Sequence, residues 1–248
     1  IEEKDFVDYF IIIEDLVSFA KTKMLVGPAR GSSCGSLVCY LLGITTIDPI
    51  KYDLIFERFI DVNRQDLPDI DIDFSDHHRH LVFEYMVKKY GVNRVAKLGT
   101  VSMFQPRSAL KEVCKSLDIP PWEPETALED LIEYHVGDSK AKSQLEDTLK
   151  TTDKGQKFLE KYPEAIIACK LEGHPSHGSR HAAGILVTDG NVNEVVAIDA
   201  RTRSSMCDKK DAEKLGLLKI DALGLKQLSV FERCLELMGE KIDNYYLE

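Results

Sequence analysis

The stretch Pro68-Asp69-Ile70-Asp71-Ile72-Asp73-Phe74 alternates strictly between acidic and apolar residues. Side chains of a β-strand point to opposite faces with a period of two, so the three aspartates fall on one face and Ile70, Ile72 and Phe74 on the other. The pattern predicts a half-buried strand whose apolar face packs on a core. Aspartate is poor in strands, so three on one face need a reason. Neighbours on that face lie about 6.5–7 Å apart at Cα, close enough to raise one another's pKa unless a cation neutralises them. Two such carboxylates on a rigid strand suit a pair of divalent ions, and oxygen-only ligands favour Mg²⁺ or Mn²⁺ over zinc. A calcium loop is excluded, because counting from Asp69 puts Phe74 and His80 where such a loop needs glycine and glutamate. Alone, the motif also fits a solvent-facing acidic edge strand.

Upstream, Gly27-Pro28-Ala29-Arg30-Gly31-Ser32-Ser33-Cys34-Gly35-Ser36 is a loop of small residues running into Leu37–Leu42 and stopping at Gly43. Serines before an apolar run and a glycine after it predict a short, capped helix. Backbone amides at such a start favour a phosphate, and Arg30 can add a charge-assisted contact. The GK[ST] ending of a Walker loop is absent, which argues against an ATPase or GTPase. Simple capping is the competing reading. Before this loop, Tyr9 to Ala20 reads either as a strand entering a helix or as one buried helix.

Downstream, 78–117 reads as helical with a break at Gly91. Between 94 and 115, Arg94, Lys97, Arg107, Lys111 and Lys115 face a single acid, Glu112, forming a candidate patch for a nucleic-acid backbone. Residues 123–150 reverse the sign, with eight acidic residues against three lysines, as expected of a solvated face. Strands are expected at 182–188, 195–198 and 217–221. In the last, Lys219 and Asp221 share a face, offering a third carboxylate and a cation. A helix follows with Leu228, Phe231, Leu235 and Met238 as its apolar stripe. His77, His78 and His80 read as a helix N-terminal surface. His174, His177 and His181 lie in a polar loop without a cysteine partner, which disfavours zinc.

The chain has 248 residues, 44% hydrophobic and 30% charged, with a formal charge of -10. It is long enough to bury a substantial core, and its acidity argues against binding nucleic acid by bulk charge rather than through a local groove. The six cysteines include no CxxC pair, so reduced thiols of an intracellular, cytoplasmic protein are expected. The first residue is isoleucine and no signal peptide or spanning stretch is visible, so the chain reads as an internal piece of a longer soluble protein.

Taken in order, these segments resemble a known family. Val26–Thr45, Asp48-Pro49, Leu54–Phe59 and Pro68–Phe74 are similar to the palm of the bacterial DNA polymerase III alpha subunits, the family C replicative polymerases. Tyr90-Gly91 through Gly99-Thr100, Arg107–Lys111, His181–Val187 and Leu218–Leu225 follow in the same order; between about 120 and 170 the likeness is faint. Ala29 stands where the family often has glycine, and Ser75–His80 and Phe104–Pro106 are unusual versions of their segments.

The resemblance implies an α+β chain: a polymerase beta-like nucleotidyltransferase palm, a mixed sheet with helices, interrupted by a helical thumb. It places the first part of the palm at 1–77, the thumb at 78–175, the second part of the palm at 176–230, and the start of the fingers or a connecting helix at 231–248. It implies that Asp69, Asp71 and Asp221 are the catalytic metal ligands, with Asp73 supporting. Arg30, Gly31, Ser32 and Ser33 then bind the triphosphate, with Arg58 and Lys219 near the nucleotide phosphates, and Arg107, Lys111 and Lys115 contact DNA. The implied reaction is attack of a primer 3′-hydroxyl on the α-phosphate of a dNTP with two Mg²⁺, or Mn²⁺ in their place. The implied partners are primer-template DNA, dNTP, the remaining polymerase domains and other replisome subunits. The clamp-binding region, most of the fingers and other parts of the family are not represented in these residues, so little or no processive synthesis is expected from this stretch alone. Another nucleotidyltransferase on the same palm, or a catalytically silent nucleic-acid-binding module, are the alternatives.

Overall fold

The computed structural model describes residues 1–61, 68–134 and 143–244. They form two compact units, one from residues 1–100 with 180 onwards and the other from Val101–Ser179. The helical region expected over 78–175 is divided between them. Asp138, Lys140 and Lys142 of the acidic run, and the last four residues of the chain, lie outside the described residues.

The first unit opens with α1 (Val7–Lys21), a single helix. Tyr9, Ile13, Leu16 and Ala20 recur at three and four residues and are all buried, so the helical reading of this stretch wins over the strand reading. After α2 (Leu37–Leu41) comes β1 (Asp71–Ser75), then α3 (His80–Tyr90) and β2 (Val95–Met103). β2 corrects the expectation of helix through this region. Val95, Thr100 and Val101 are β-branched and Gly99 is a weak helix former, so once neighbouring strands accept its backbone groups the segment is a strand.

The chain returns from the second unit along β3 (Pro175–Val187), longer than the strand expected from 182. The strand expected at 195–198 is instead the short helix α8 (Val192–Val195), numbered after four helices of the second unit described below, and the two-residue β4 (Ile198–Asp199). β5 (Ser204–Ser205), α9 (Lys209–Lys214), β6 (Leu218–Leu225) and α10 (Lys226–Met238) complete the described elements. The sheet is mixed, in the order β1-β6-β3-β2-β5-β4. β1 and β6 run parallel, β6 and β3 antiparallel.

The apolar face of β1, with Ile70, Ile72 and Phe74, joins Ile220 and Ala222 of β6 beneath α1 and α3. Each fully buried side chain here, such as Ile13, Leu16 or Phe74, stabilises the fold by about 1.5–3 kcal/mol. A second core of Ala96, Leu98, Leu186 and Leu217 lies against the other sheet face, away from β1. On α10, Leu228 and Leu235 are buried as expected, but Phe231 and Met238 are exposed and Glu232 is buried in their place. Positions 228, 232 and 235 fall on one helical face, so a polar residue occupies the middle of the inward stripe.

The second unit packs α4 (Pro106–Ser116), α5 (Trp122–Ala127), α6 (Gln144–Thr151) and α7 (Asp153–Lys161) around Leu110, Leu128, Leu145, Leu149 and Phe158. Pro106 at the first turn and the reciprocal Gln105–Ser108 capping bonds fix the start of α4.

Candidate metal centre

Two adjacent parallel strands create the site. Asp71 on β1 and Asp221 on β6 are directly opposite in register, and Asp69 precedes β1 on the same face as Asp71. Carboxylate oxygens of Asp69, Asp71 and Asp221 come within 4.8 Å of one another, the group of potential metal ligands that converges among the described residues. Residues 150 positions apart in sequence thus share one cluster because strand pairing, not chain proximity, sets the spacing.

Three carboxylates this close need cations. Lys219 Nζ lies 2.6 Å from Asp221 Oδ2 and 3.4 Å from Asp69 Oδ1, and Lys209 Nζ lies 3.1 Å from Asp69 Oδ2. Lys219 and Asp221 are both buried, whereas Asp69 is substantially exposed. The carboxyl of Asp71 is held above its ordinary pKa by burial first, and then by the negative charges of Asp69 and Asp221. Asp221 Oδ1 is buried with no hydrogen-bond partner. A buried carboxylate oxygen left without a donor is costly, and an all-oxygen cluster with one such atom fits a hard divalent cation.

The small-residue loop reaches this cluster. Gly27 N donates to Asp73 O at 2.7 Å and Val26 bridges to Phe74, so the segment before the loop lies antiparallel along β1. Gly31 has φ +64°, a left-handed conformation that glycine adopts without strain, and a Cβ there would stand 3.5 Å from Asp71 Oδ2. Arg30 Nη1 pairs with Asp73 Oδ1 at 3.0 Å, which turns the third aspartate of the strand toward the loop. Residues Gly31–Gly35 form a 3₁₀ turn, and the short α2 that follows is capped by Ser36, whose Oγ accepts from Cys39 N at 3.2 Å.

The other nominated residues are placed differently. Ser33 is fully buried and its hydroxyl donates to Arg30 O at 2.7 Å, so its side chain braces the loop. Ser32 is half-buried in the same turn. Arg58 is exposed in a 3₁₀ turn, with no hydrogen bond or ion pair to the aspartates among the described residues. Arg107, Lys111 and Lys115 are exposed on α4 in the second unit, where Lys111 pairs with Glu125 at 2.9 Å. Arg94 and Lys97, counted with them in sequence, belong to the first unit.

Three participants escaped the sequence reading. Lys209 starts α9 behind the cap Asp208 and carried no motif signal. Tyr9, read only as core, has a hydroxyl that accepts from Ile70 N at 3.0 Å, and burial raises its pKa. Glu232 accepts from Leu25 N at 2.8 Å and from the Ser75 hydroxyl, and lies 2.9 Å from His78 Nδ1. A charged residue interrupting an apolar stripe was the available clue. No helix among the described residues is long and apolar enough to cross a membrane.

Comparison with known proteins agrees with this arrangement of segments. Residues 1–224 match a family described as the bacterial DNA polymerase III alpha NTPase domain. A DNA polymerase III subunit alpha of Halalkalibacterium halodurans is 38% identical over 97% of this chain, and subunits of the same name from Staphylococcus epidermidis and Staphylococcus aureus are 38% and 40% identical over 94% and 93% of it. In each case the chain spans 22% of the relative's own length. With a match that covers most of its length and includes the strands carrying Asp71 and Asp221, this chain belongs to the bacterial DNA polymerase III alpha family.

Proposed function

We propose that this chain carries the nucleotidyl-transfer centre of a DNA polymerase, joining a dNTP to a primer 3′-hydroxyl on a DNA template. In this reading the first unit is the palm and the second, helical unit is the thumb. The observation that carries it is the convergence of Asp69, Asp71 and Asp221 beside a glycine loop, with one buried carboxylate oxygen left unpartnered. Membership of the polymerase III alpha family supports it.

Asp69, Asp71 and Asp221 would hold divalent cations, Mg²⁺ with Mn²⁺ as substitute. When bound, a pair of such ions supplies activation of the attacking hydroxyl and charge neutralisation at the departing pyrophosphate. The residues of the chain do the rest. Asp71 and Asp221 are fixed by strand pairing, so their oxygens are preorganised rather than recruited. Gly31 lets the loop backbone approach Asp71 without a side chain between, leaving room for a triphosphate against the loop. Lys219, buried against Asp221, contributes a fixed positive charge, and Arg30 is a guanidinium within reach of the loop. Primer-template DNA, dNTP and the remaining domains of the longer polymerase are its proposed partners, with Arg107, Lys111 and Lys115 contacting the duplex and Arg58 the incoming nucleotide.

The test is Mn²⁺ binding by the full chain, with primer-template and a matched dNTP, in comparison with Asp71→Asn and Asp221→Asn. Loss of binding in both variants is expected, because the two carboxylates lie on different strands yet serve one site. Unchanged binding in both overturns the reading. Incorporation that follows the template base distinguishes a polymerase from other nucleotidyltransferases.

A further inference from the structure

On the other face of the sheet from the aspartates lies a cleft of about 430 Å³. Side chains alternate along each strand, so Lys97 of β2 shares a face with Val95, which packs in the core beneath α1 and α3, and Ala222 of β6 faces the same way. Asp71 and Asp221 project from the opposite face. Every residue lining the cleft belongs to the first unit.

Three cations converge there. Arg79 comes from the start of α3, Lys97 from β2 and Arg180 from β3. Lys97 Nζ sits 4.8 Å from the centroid of the Phe83 ring, and burial together with the charges of Arg180 and Arg79 holds its pKa below the ordinary lysine value. Among the described residues, none of the three forms an ion pair with a carboxylate, although Asp76 also lines the cleft. Arg79 spends Nη1 on Ala182 O at 2.7 Å, which steers its guanidinium along the wall. His181 Nδ1 accepts from Gly184 N at 2.8 Å, which leaves its other ring nitrogen as a donor. Three cations that share a cleft with one carboxylate, Asp76, and pair with none, with a ring N–H donor beside them, are what an oxyanion would satisfy.

We propose that this cleft is a phosphate-binding site, separate from the metal centre, formed by Arg79, Lys97, Arg180 and His181. The ligand chemistry is a phosphate group, supplied by a nucleic-acid backbone or by free phosphate or pyrophosphate. Guanidinium forks bind its oxygens in pairs and Lys97 supplies a point charge at the base. The site does not depend on the polymerase reading, since it needs no divalent ion and uses no residue of the acidic cluster.

The experiment uses the full chain in EDTA, so that the metal centre cannot hold a phosphate through an ion. Calorimetric titration with inorganic pyrophosphate and anisotropy of a fluorescent DNA duplex at several salt concentrations are compared for the unaltered chain, Lys97→Met, Arg180→Gln and, as control, Asp71→Asn. Among the described residues, neither the Lys97 nor the Arg180 side chain makes a hydrogen bond or ion pair with the rest of the fold, so both variants are expected to keep the unfolding midpoint. If the phosphate is free, pyrophosphate affinity falls at least tenfold in both cleft variants and is unchanged or higher in Asp71→Asn. If it belongs to a strand, the slope of log affinity against log salt falls by about 0.9 in each cleft variant while pyrophosphate binds weakly or not at all. Cleft variants that match the unaltered chain in both assays overturn the proposal. Since metal binding is absent from these measurements, that failure leaves the assignment of Asp69, Asp71 and Asp221 untouched.

Discussion

Replacing Glu232 by alanine tests how the loop is fastened to the strand that carries the aspartates. Glu232 is 2% exposed and its carboxylate receives Leu25 N at 2.8 Å and the Ser75 hydroxyl, with His78 Nδ1 at 2.9 Å. Leu25 leads into the loop, Ser75 ends β1 and His78 precedes α3, so one side chain joins three segments around the site. In Glu232→Ala the buried Leu25 N–H loses its acceptor, a cost of about 1–3 kcal/mol. Ser75 retains Ser229 Oγ at 3.0 Å and His78 is partly exposed, so these two re-pair with little loss. The missing methylene and carboxyl leave a small cavity worth about 1 kcal/mol. The total, about 2–4 kcal/mol, corresponds to a fall in Tm of roughly 5–15 °C for a unit of this size. Glu232→Gln keeps an acceptor for Leu25, and the Ser75 hydroxyl can reverse its role, so a loss of about 1 kcal/mol or less is expected. Thermal and denaturant unfolding of the three proteins decides it. An alanine variant as stable as the glutamine variant would refute the reasoning, because the count of buried acceptors would then be irrelevant.

Further outcomes follow from the same geometry. Mn²⁺ at a hundredfold excess over its Kd should stabilise the unaltered chain by about 2.7 kcal/mol, an increment absent in Asp221→Asn and reversed by EDTA. Because the pKa of Asp71 is raised, protons compete for the site in a window that begins above the ordinary carboxylate range; Mn²⁺ affinity measured by titration from neutral pH downward should decline earlier than for a site of unperturbed aspartates. The sign for the metal-free fold is opposite. Ionised Asp71 is a penalty at neutral pH that is relieved as pH falls through its raised pKa, so Asp71→Asn should be at least as stable as the unaltered chain at pH 7 in EDTA, and a clear drop in its Tm would count against this account. Gly184 faces Asp221 across the sheet, and a Cβ there would stand 2.6 Å from Leu98 Cβ, so Gly184→Ala should cost about 1–3 kcal/mol in chemical denaturation.

What could be read from the sequence was local. The alternation from Pro68 to Phe74 determined a strand with its aspartates on one face, because the period of two is a property of the backbone. Lys219 and Asp221 shared a face for the same reason, and Ser36 capped α2 because a hydroxyl one residue ahead of an apolar run has few other uses. The family resemblance extended this to the order of the segments.

What depended on distant pairing was decided only by the tertiary structure. Residues 95–103 read as helix until neighbouring strands took up their backbone groups, since short segments carry no intrinsic preference strong enough to withstand such pairing. The opposition of Asp71 to Asp221, the ammoniums of Lys209 and Lys219 among the carboxylates, and the burial of Glu232 all depend on contacts between residues up to 207 positions apart. The basic residues of 94–115, adjacent in sequence, were divided between two units, while Lys97 gained Arg79 and Arg180 as neighbours. Charge counted along a chain gives its sum; where that charge acts depends on which strands lie side by side, and that is fixed only when the whole core is buried at once.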